Sequence, residues 1–334
     1  MTTWPPPVRV IVVAYNSARY LPACLESLLA QDYPAPVAIH VVDNGSTDDT
    51  RRALEPYASR IAVDYAGTNL GFPRAVNRAL KKCREEVVVL LNPDTEMERD
   101  WLAQLVGALR RHPGAGAAGS LLFYPDGSIQ HAGGRIFANG LTSHERALPA
   151  VAGEERVVDY ATGAALAVRA DVLRALGGLD QGYPLYGEDV QLAAHLARRG
   201  LSTLLVPAAR GVHHESVGSV RESCLYLYRL HRARLRWSAL NFPLSHLLGR
   251  WLNEEFYYLR VAGMFSTYRF WPVLAAYLTT LARLPWLLFL RARGPYRVRE
   301  QAFYQSYLHR IISSGIRALA EEYRRARAAE APRA

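Results

Sequence analysis

The sequence predicts an α/β fold, and two observations carry that expectation. Short apolar runs and helical patterns alternate four times within about 110 residues, the rhythm of a mostly parallel sheet with helices on both faces. The run Val87-Val88-Val89-Leu90-Leu91 is rich in β-branched residues and too short for a good helix, as befits a fully buried strand. It stops at Asn92-Pro93-Asp94, because Pro93 has no N–H for a ladder and keeps Asn92 extended. Asp94 is thereby placed just past the carboxyl end of a central strand, where open α/β sheets put their ligands.

Each element follows in order. Val8–Ala14 reads as a buried strand, and Tyr20–Ala30 as a helix with Pro22 tolerated in its first turn. Val37–Val42 is a second strand, ending in the turn-rich Asp43–Thr50, which also offers caps to a helix running to about Tyr57. Ile61–Tyr65 makes a short third strand. Asn69–Pro73 is a turn, Arg74–Cys83 a helix, and Asp100–Arg111 the helix that closes the series. Gly114, Gly116 and Gly119 match the spacing of a dinucleotide fingerprint, but they follow a helix and precede an apparent strand, Ser120–Tyr124. The fingerprint needs the reverse order, so this stretch reads as a loop. Residues 121–160 read as hairpin and loop, with Pro125-Asp126-Gly127 as a turn signal. The small apolar run Ala161–Val168 leads to a short helix, Ala170–Leu176. Glu188 and Asp189 open a helix over Val190–Arg199, Leu201–Val206 is another buried strand, and His213-His214 follow.

Charge divides the chain. Residues 1–220 carry 21 Lys+Arg against 23 Asp+Glu, whereas residues 221–334 carry 19 Arg, no Lys and 7 Glu, a net of +12. The expected organisation is a domain over 1–220, in two halves divided at about 115, and an Arg-rich amphipathic helical region over 221–334. Within the latter, Phe270–Leu290 is long enough as a helix, about 30 Å, to span a bilayer. It contains Arg283, Pro272 and Pro285, and a central Arg costs roughly 2.5–3.5 kcal/mol on insertion. Flanking Arg269, Arg291 and Arg293, with Trp271 and Trp286, favour in-plane contact with an anionic membrane surface. Soluble helical packing and a true span are the alternatives. The three cysteines, Cys24, Cys83 and Cys224, are far apart and form neither a disulfide framework nor a zinc cluster. That cysteine usage makes a reducing compartment the expectation, and the start Met1–Pro7 shows no secretory signal.

Four polar corners follow apolar runs: Asp43, Asp94, Glu188-Asp189 and His213-His214. Each has a structural alternative. Asp43 would cap the next helix, unless Thr47 or Asp48 does so and leaves it to a base or ribose. Asp94 would be an N-cap with Glu96 and Glu98 in the first turn, or a metal ligand. Glu188-Asp189 would be favourable helix-start charges, or a general base beside an acceptor hydroxyl. The histidines would be loop residues, or complete a metal shell with a carboxylate and diphosphate oxygens.

Taken together and in order, these motifs resemble the family 2 glycosyltransferases of GT-A fold. The likeness runs over about residues 8–220, through Val12–Ser17, Val42–Asp48, Asn69–Phe72, Leu91–Thr95 and Tyr186–Asp189, and its branch is similar to bacterial rhamnosyltransferases. The resemblance implies inverting transfer of a sugar, rhamnose or a related hexose, from a dTDP- or UDP-linked donor to a lipid-linked or cell-envelope glycan. It implies donor contacts at Ala14, Tyr15, Asn16, Asp43, Asn44, Gly71, Arg74, Asn92, Pro93 and Asp94. Mg²⁺ or Mn²⁺ would sit on Asp94 and His213, with His214 as the competitor. Asp189 would be the general base, with Glu188, Tyr186 and Gly187 toward the acceptor. The implied location is the cytoplasmic face of a bacterial membrane, with no nucleic-acid partner. Asn92 stands where many members carry Asp, and Gln191 and His195 where relatives usually show Asp and Arg, which puts acceptor recognition in question. A nucleotidyltransferase would need a basic Gly-rich loop after the first strand, and Ala14–Arg19 offers one basic residue. A nucleic-acid- or membrane-binding module driven by the basic C-terminal region is the remaining alternative.

Overall fold

The structure, a computed structural model, describes residues 5–148, 153–214, 223–261 and 269–317, so the Arg-rich tail beyond these lies outside the described residues. Two compact units emerge, one of residues 1–135 and 144–219, the other of residues 136–143 and 220–334. The inclusion of 136–143 in the second unit has no sign in the sequence.

The first half of the first unit runs β1 (Val8–Ala14), α1 (Leu21–Leu29), β2 (Val37–Asp43), α2 (Thr50–Leu54), β3 (Ala62–Tyr65), α3 (Phe72–Leu80), β4 (Val87–Leu91), β5 (Thr95–Met97) and α4 (Trp101–Arg111). Then come β6 (Ala115–Phe123), β7 (Ile129–His131), the ribbon of β8 (Gly134–Ile136) and β9 (Thr142–His144), β10 (Arg156–Val158), β11 (Ala165–Arg169), α5 (Ala170–Ala175), α6 (Glu188–Ala197) and β12 (Ser202–His213). The main sheet has the order β10-β12-β6-β11-β4-β1-β2-β3, with β5 on β12 and β7 on β6.

The sheet is α/β in character but mixed, which corrects the expectation of a mostly parallel one. Strands β4, β1, β2 and β3 are parallel, joined by crossover helices. Strand β11 arrives from a loop with no crossover helix, and it inserts antiparallel between β4 and β6. Strand β4 sits at the centre and feeds both faces. Val87, Val89 and Leu91 pack toward Leu25, Trp101 and Leu105, while Val88 and Leu90 pack toward Val76, Leu173 and Leu192. That split is the two-residue period of a strand, and each buried side chain contributes roughly 1.5–3 kcal/mol.

Three local expectations change. Residues 115–119 are strand rather than loop, since β6 begins at Ala115. Its glycines serve close packing: a Cβ on Gly116 would fall 2.6 Å from Leu196, and one on Gly119 2.2 Å from Ala161. Residues Thr95–Met97 form a strand instead of a helix start, and α4 begins only at Trp101. Strand β12 continues to His213, well past Val206, through an irregularity between Val206 and Arg210. Pro207 cannot donate to a ladder, so the chain bulges there and resumes pairing.

In the second unit, α7 (Cys224–Asn241), α8 (Leu244–Leu247), α9 (Arg250–Val261), α10 (Phe270–Ala282), α11 (Leu284–Arg291) and α12 (Gln301–Ser313) are helices. Ser223 caps α7, its hydroxyl accepting from the Tyr226 N–H at 3.1 Å. Within the unit, Arg234 is buried and forks onto Glu255 at 2.6 and 2.8 Å. Asn139 donates to the same carboxylate at 2.9 Å, and the Tyr277 hydroxyl also reaches it. Residues 136–143 are fastened to the helices by this network, and removing either charge of such a pair costs about 3–5 kcal/mol. The single helix expected over 270–290 is two helices, α10 and α11, bent by 59°. Pro285 in the first turn of α11 has no N–H to continue the ladder from α10. Among the described residues no single helix is long and apolar enough to cross a membrane.

Candidate active site

The corners expected to meet the donor lie at the carboxyl ends of β1, β2 and β4, and the first two are laced to one another. Asn16, in a left-handed conformation (φ 50°), accepts from the Thr47 N–H at 2.8 Å, and its own N–H donates to Ser46 Oγ at 3.0 Å. Asp43 is buried and accepts from the Ser46 N–H at 3.0 Å. It caps no helix. The residue bound near the start of α2 is Asp48, which takes the Thr50 and Ala18 amides. Asn44 accepts from the Leu70 N–H at 2.9 Å and donates to Asn69 at 3.2 Å, tying the Asn69–Gly71 turn to β2. Gly71 adopts φ 81°, and a Cβ there would fall 2.8 Å from the Pro184 carbonyl, which accepts from the Phe72 N–H. Ala14 ends β1, Tyr15 is exposed beside it, and Arg74 is exposed on the first turn of α3.

Asp94 is 3% exposed and caps no helix either. Strand β5 carries the chain away from it and pairs antiparallel with the end of β12, with His213 opposite Thr95. That register brings His213 Nε2 to 3.3 Å from Asp94 Oδ1 and 3.4 Å from Asn92 Nδ2. His213 Nδ1 lies 2.7 Å from Gln130 Oε1. His214 points elsewhere: its Nε2 is 2.7 Å from Glu96 and its ring packs on Tyr20. Of the two histidines, His213 is the one directed at Asp94. Among the described residues no three His, Cys, Asp or Glu side chains converge as a closed metal shell. A carboxylate and an imidazole side by side do fit Mg²⁺ or Mn²⁺, whose remaining positions water and phosphate oxygens would fill.

At the corner expected to meet the acceptor, Tyr186 (φ 68°) and Gly187 (φ 86°) adopt left-handed conformations that start α6 at Glu188. Asp189 accepts from the Gly163 N–H at 3.1 Å and the Val190 N–H at 2.8 Å. Burial raises its carboxyl above the usual range, against the lowering effect of those two amides. Burial and the neighbouring Asp189 push Glu188 up to about 8, and its Oε2 is buried without a hydrogen-bond partner. Gln191 and His195 are buried, not acceptor-facing: Gln191 accepts from the Tyr183 hydroxyl at 2.9 Å and lies 3.3 Å from His195.

One turn joins the two sides. The Asn92 N–H donates to the Ala164 carbonyl at 2.9 Å, one residue from the Gly163 N–H that holds Asp189. Thr162 N–H donates in turn to His131 Nε2 at 3.2 Å. The turn Thr162–Ala164 and the side chain of Gln130 are site-building residues that sequence reasoning did not single out. The small run at 161–168 was visible as packing, but nothing in a single Gln announces its partner.

Residues 9–168 match the family described as Glycosyl transferase family 2. The chain is 29% identical over 255 residues to the N-acetylglucosaminyl-diphospho-decaprenol L-rhamnosyltransferase of Mycobacterium tuberculosis, covering 67% of this chain and 81% of that protein. It is 30% identical over 223 residues, 63% of its length, to the O-antigen biosynthesis protein RfbC of Myxococcus xanthus, of which it spans 17%. The fold is similar to mannosyltransferase PcManGT from Pyrobaculum calidifontis in complex with GDP-Man and Mn²⁺ (TM-score 0.54, 21% identity, 93% of this chain and 88% of that one). It is similar also to S. aureus TarS 1-349 in complex with UDP-GlcNAc (TM-score 0.57, 19% identity, 96% and 92%). A GT-A-like fold, the matched family segment and the rhamnosyltransferase likeness lead to one conclusion: the chain is a glycosyltransferase that carries a family 2 domain over residues 9–168 and is rhamnosyltransferase-like in sequence.

Proposed function

We propose that the chain transfers a sugar, rhamnose or a related hexose, from a dTDP- or UDP-linked donor to a hydroxyl of a lipid-linked or cell-envelope glycan, with inversion. The observation that carries this reading is the turn Thr162–Ala164, which ties the Asp94 corner and the Asp189 carboxylate to adjacent backbone groups. Asp43, Asn44 and the loop after β1 would hold the nucleoside, with Asn92 and Asp94 toward the sugar and diphosphate. A divalent cation on Asp94 and His213 would neutralise charge gathering on the departing diphosphate. The names of the relatives, a decaprenol-linked rhamnosyltransferase and an O-antigen protein, support the acceptor class.

In the step itself, the acceptor oxygen attacks the anomeric carbon as the bond from that carbon to the diphosphate oxygen breaks. The hydroxyl proton passes to Asp189, on the face away from the leaving group. The two amides on Asp189 keep its charge available, and Glu188 holds the proton of the pair at neutral pH. One negative charge then serves two carboxyls, as like-charged neighbours require.

The second unit supplies a surface for the membrane. On α10, Trp271, Leu278 and Leu281 are exposed (Trp271 by 71%), and on α11 Trp286 stacks on Phe289 with Arg293 over that ring at 4.2 Å. Aromatic and basic side chains together suit an anionic interface better than bulk water. These exposed side chains support docking on a membrane surface, and the cytoplasmic face is the location we propose.

Three outcomes are expected. Asp189→Asn lowers kcat by about 10²–10⁴-fold while donor binding stays within a few-fold, read by product formation and by calorimetry; transfer at the wild-type rate would end the base assignment. Glu188 has a folded pKa near 8 against an ordinary 4.5, so native stability falls as pH rises through that window. Glu188→Gln should match the wild-type Tm near pH 5 and exceed it near pH 8.5, whereas an equal offset at both would contradict the protonated Glu188. Anionic liposomes should float the full chain, and a Trp271→Ser/Trp286→Ser variant should stay below; equal flotation of both would refute docking through α10 and α11.

A further inference from the structure

Strand β7 contributes a residue that the reading above leaves without a role. Gln130 is 4% exposed, lying beneath the end of β12, and its amide is fastened to His213 at two points. Its Nε2 donates to the His213 backbone carbonyl at 3.2 Å, and its Oε1 lies 2.7 Å from His213 Nδ1. The two contacts together settle the chemistry of the ring. A carbonyl oxygen only accepts, so the amide NH₂ must face His213 O, and Oε1 must then face the imidazole. Oε1 also only accepts, so the proton of the neutral ring belongs on Nδ1. The Nε2 lone pair is left pointing at Asp94 Oδ1, 3.3 Å away.

We propose that Gln130 is a positioning residue for the donor side of this glycosyltransferase: by fixing the His213 tautomer and ring plane, it presents Nε2 beside Asp94 as a ready cation ligand. The inference rests on the proposal that Asp94 and His213 hold the divalent ion. An imidazole with its proton on Nε2 would offer Asp94 a hydrogen bond and offer a cation nothing. The amide of Asn92, 3.4 Å from Nε2, is a donor that fits the same lone pair. The edge position of Gln130 is itself built: β7 pairs antiparallel with β6, Leu122 opposite His131 and Phe123 opposite Ile129, with a register shift between them. That shift falls at the pair flanking Gln130 on the partner strand. A partner on the far nitrogen of a ligating imidazole commonly changes metal affinity by about 10–100-fold when removed.

The test is Mn²⁺ binding to the full chain, followed by electron paramagnetic resonance with and without UDP, for wild type, Q130L, Q130E and H213A. The account expects Q130L to weaken Mn²⁺ by about 10–100-fold with the fold intact by circular dichroism. Q130E, which still accepts from Nδ1–H, should stay within a few-fold of wild type even if its Tm drops with the lost bond to His213 O. If H213A weakens Mn²⁺ but folded Q130L does not, the role of Gln130 is refuted and the ion site stands. If H213A also binds normally, the ion site fails and Gln130 with it. Independently of any variant, ¹⁵N-histidine spectra of the metal-free wild type, with His213 assigned by its loss in H213A, should report Nδ1–H. A protonated Nε2 in the neutral ring would overturn the proposal.

Discussion

The arrangement of this enzyme depends on how a buried strand can end. Strand β4 is committed to both cores at once, Val87, Val89 and Leu91 to one face and Val88 and Leu90 to the other. It cannot shift register without exposing one set and burying nothing in exchange. Its last N–H partner is therefore fixed as well, and the Asn92 amide lands on Ala164 at 2.9 Å. From that bond the rest of the site hangs. The neighbouring Gly163 amide holds Asp189, and the corner after Asn92 sets Asp94 against His213. Rigid packing far from solvent is thus converted into placement of groups at the sheet edge, as preorganised catalysis requires.

The electrostatic design follows from burial. The acceptor side keeps two adjacent carboxyls where one charge is affordable only if the other is protonated, and the amides choose Asp189 for it. The donor side instead sets the Asp94 carboxylate 3.3 Å from the His213 imidazole, an arrangement that the proposed cation would complete. The second unit handles charge differently again. Among its described residues Arg234 and Glu255 form a deeply buried pair, joined by Asn139 and Tyr277, while Trp271 and Trp286 are exposed.

Much of this was legible in the sequence for local reasons. Continuous apolar runs gave away β1, β2 and β4, and turn residues at their ends marked Asp43 and Asp94, because burial and backbone breaking act within a few residues. What was hidden depends on distant partners. Pro207 reads as the end of a strand, yet a bulge lets β12 run on to His213, and only that extension brings His213 to Asp94. The Gly-rich stretch at 114–119 reads as a loop because nothing local reveals that Ala161 and Leu196 press against it. Gln191 and His195, odd by comparison with relatives, prove to satisfy one another and Tyr183 within the fold. Residues 136–143 join the helical unit through Asn139, nearly a hundred positions from Arg234.

The central claim is that one cation and one base, joined through the turn at 162–164, perform the transfer. Its most direct test is a crystal of the full chain with Mn²⁺ and UDP, read by anomalous scattering from manganese. The account predicts a single strong peak in ligand contact with Asp94 and His213 Nε2 and with the diphosphate, on the side of the cleft facing Asp189. Manganese bound on His214 and Glu96, or nucleotide bound without contact to Asp94, would contradict it.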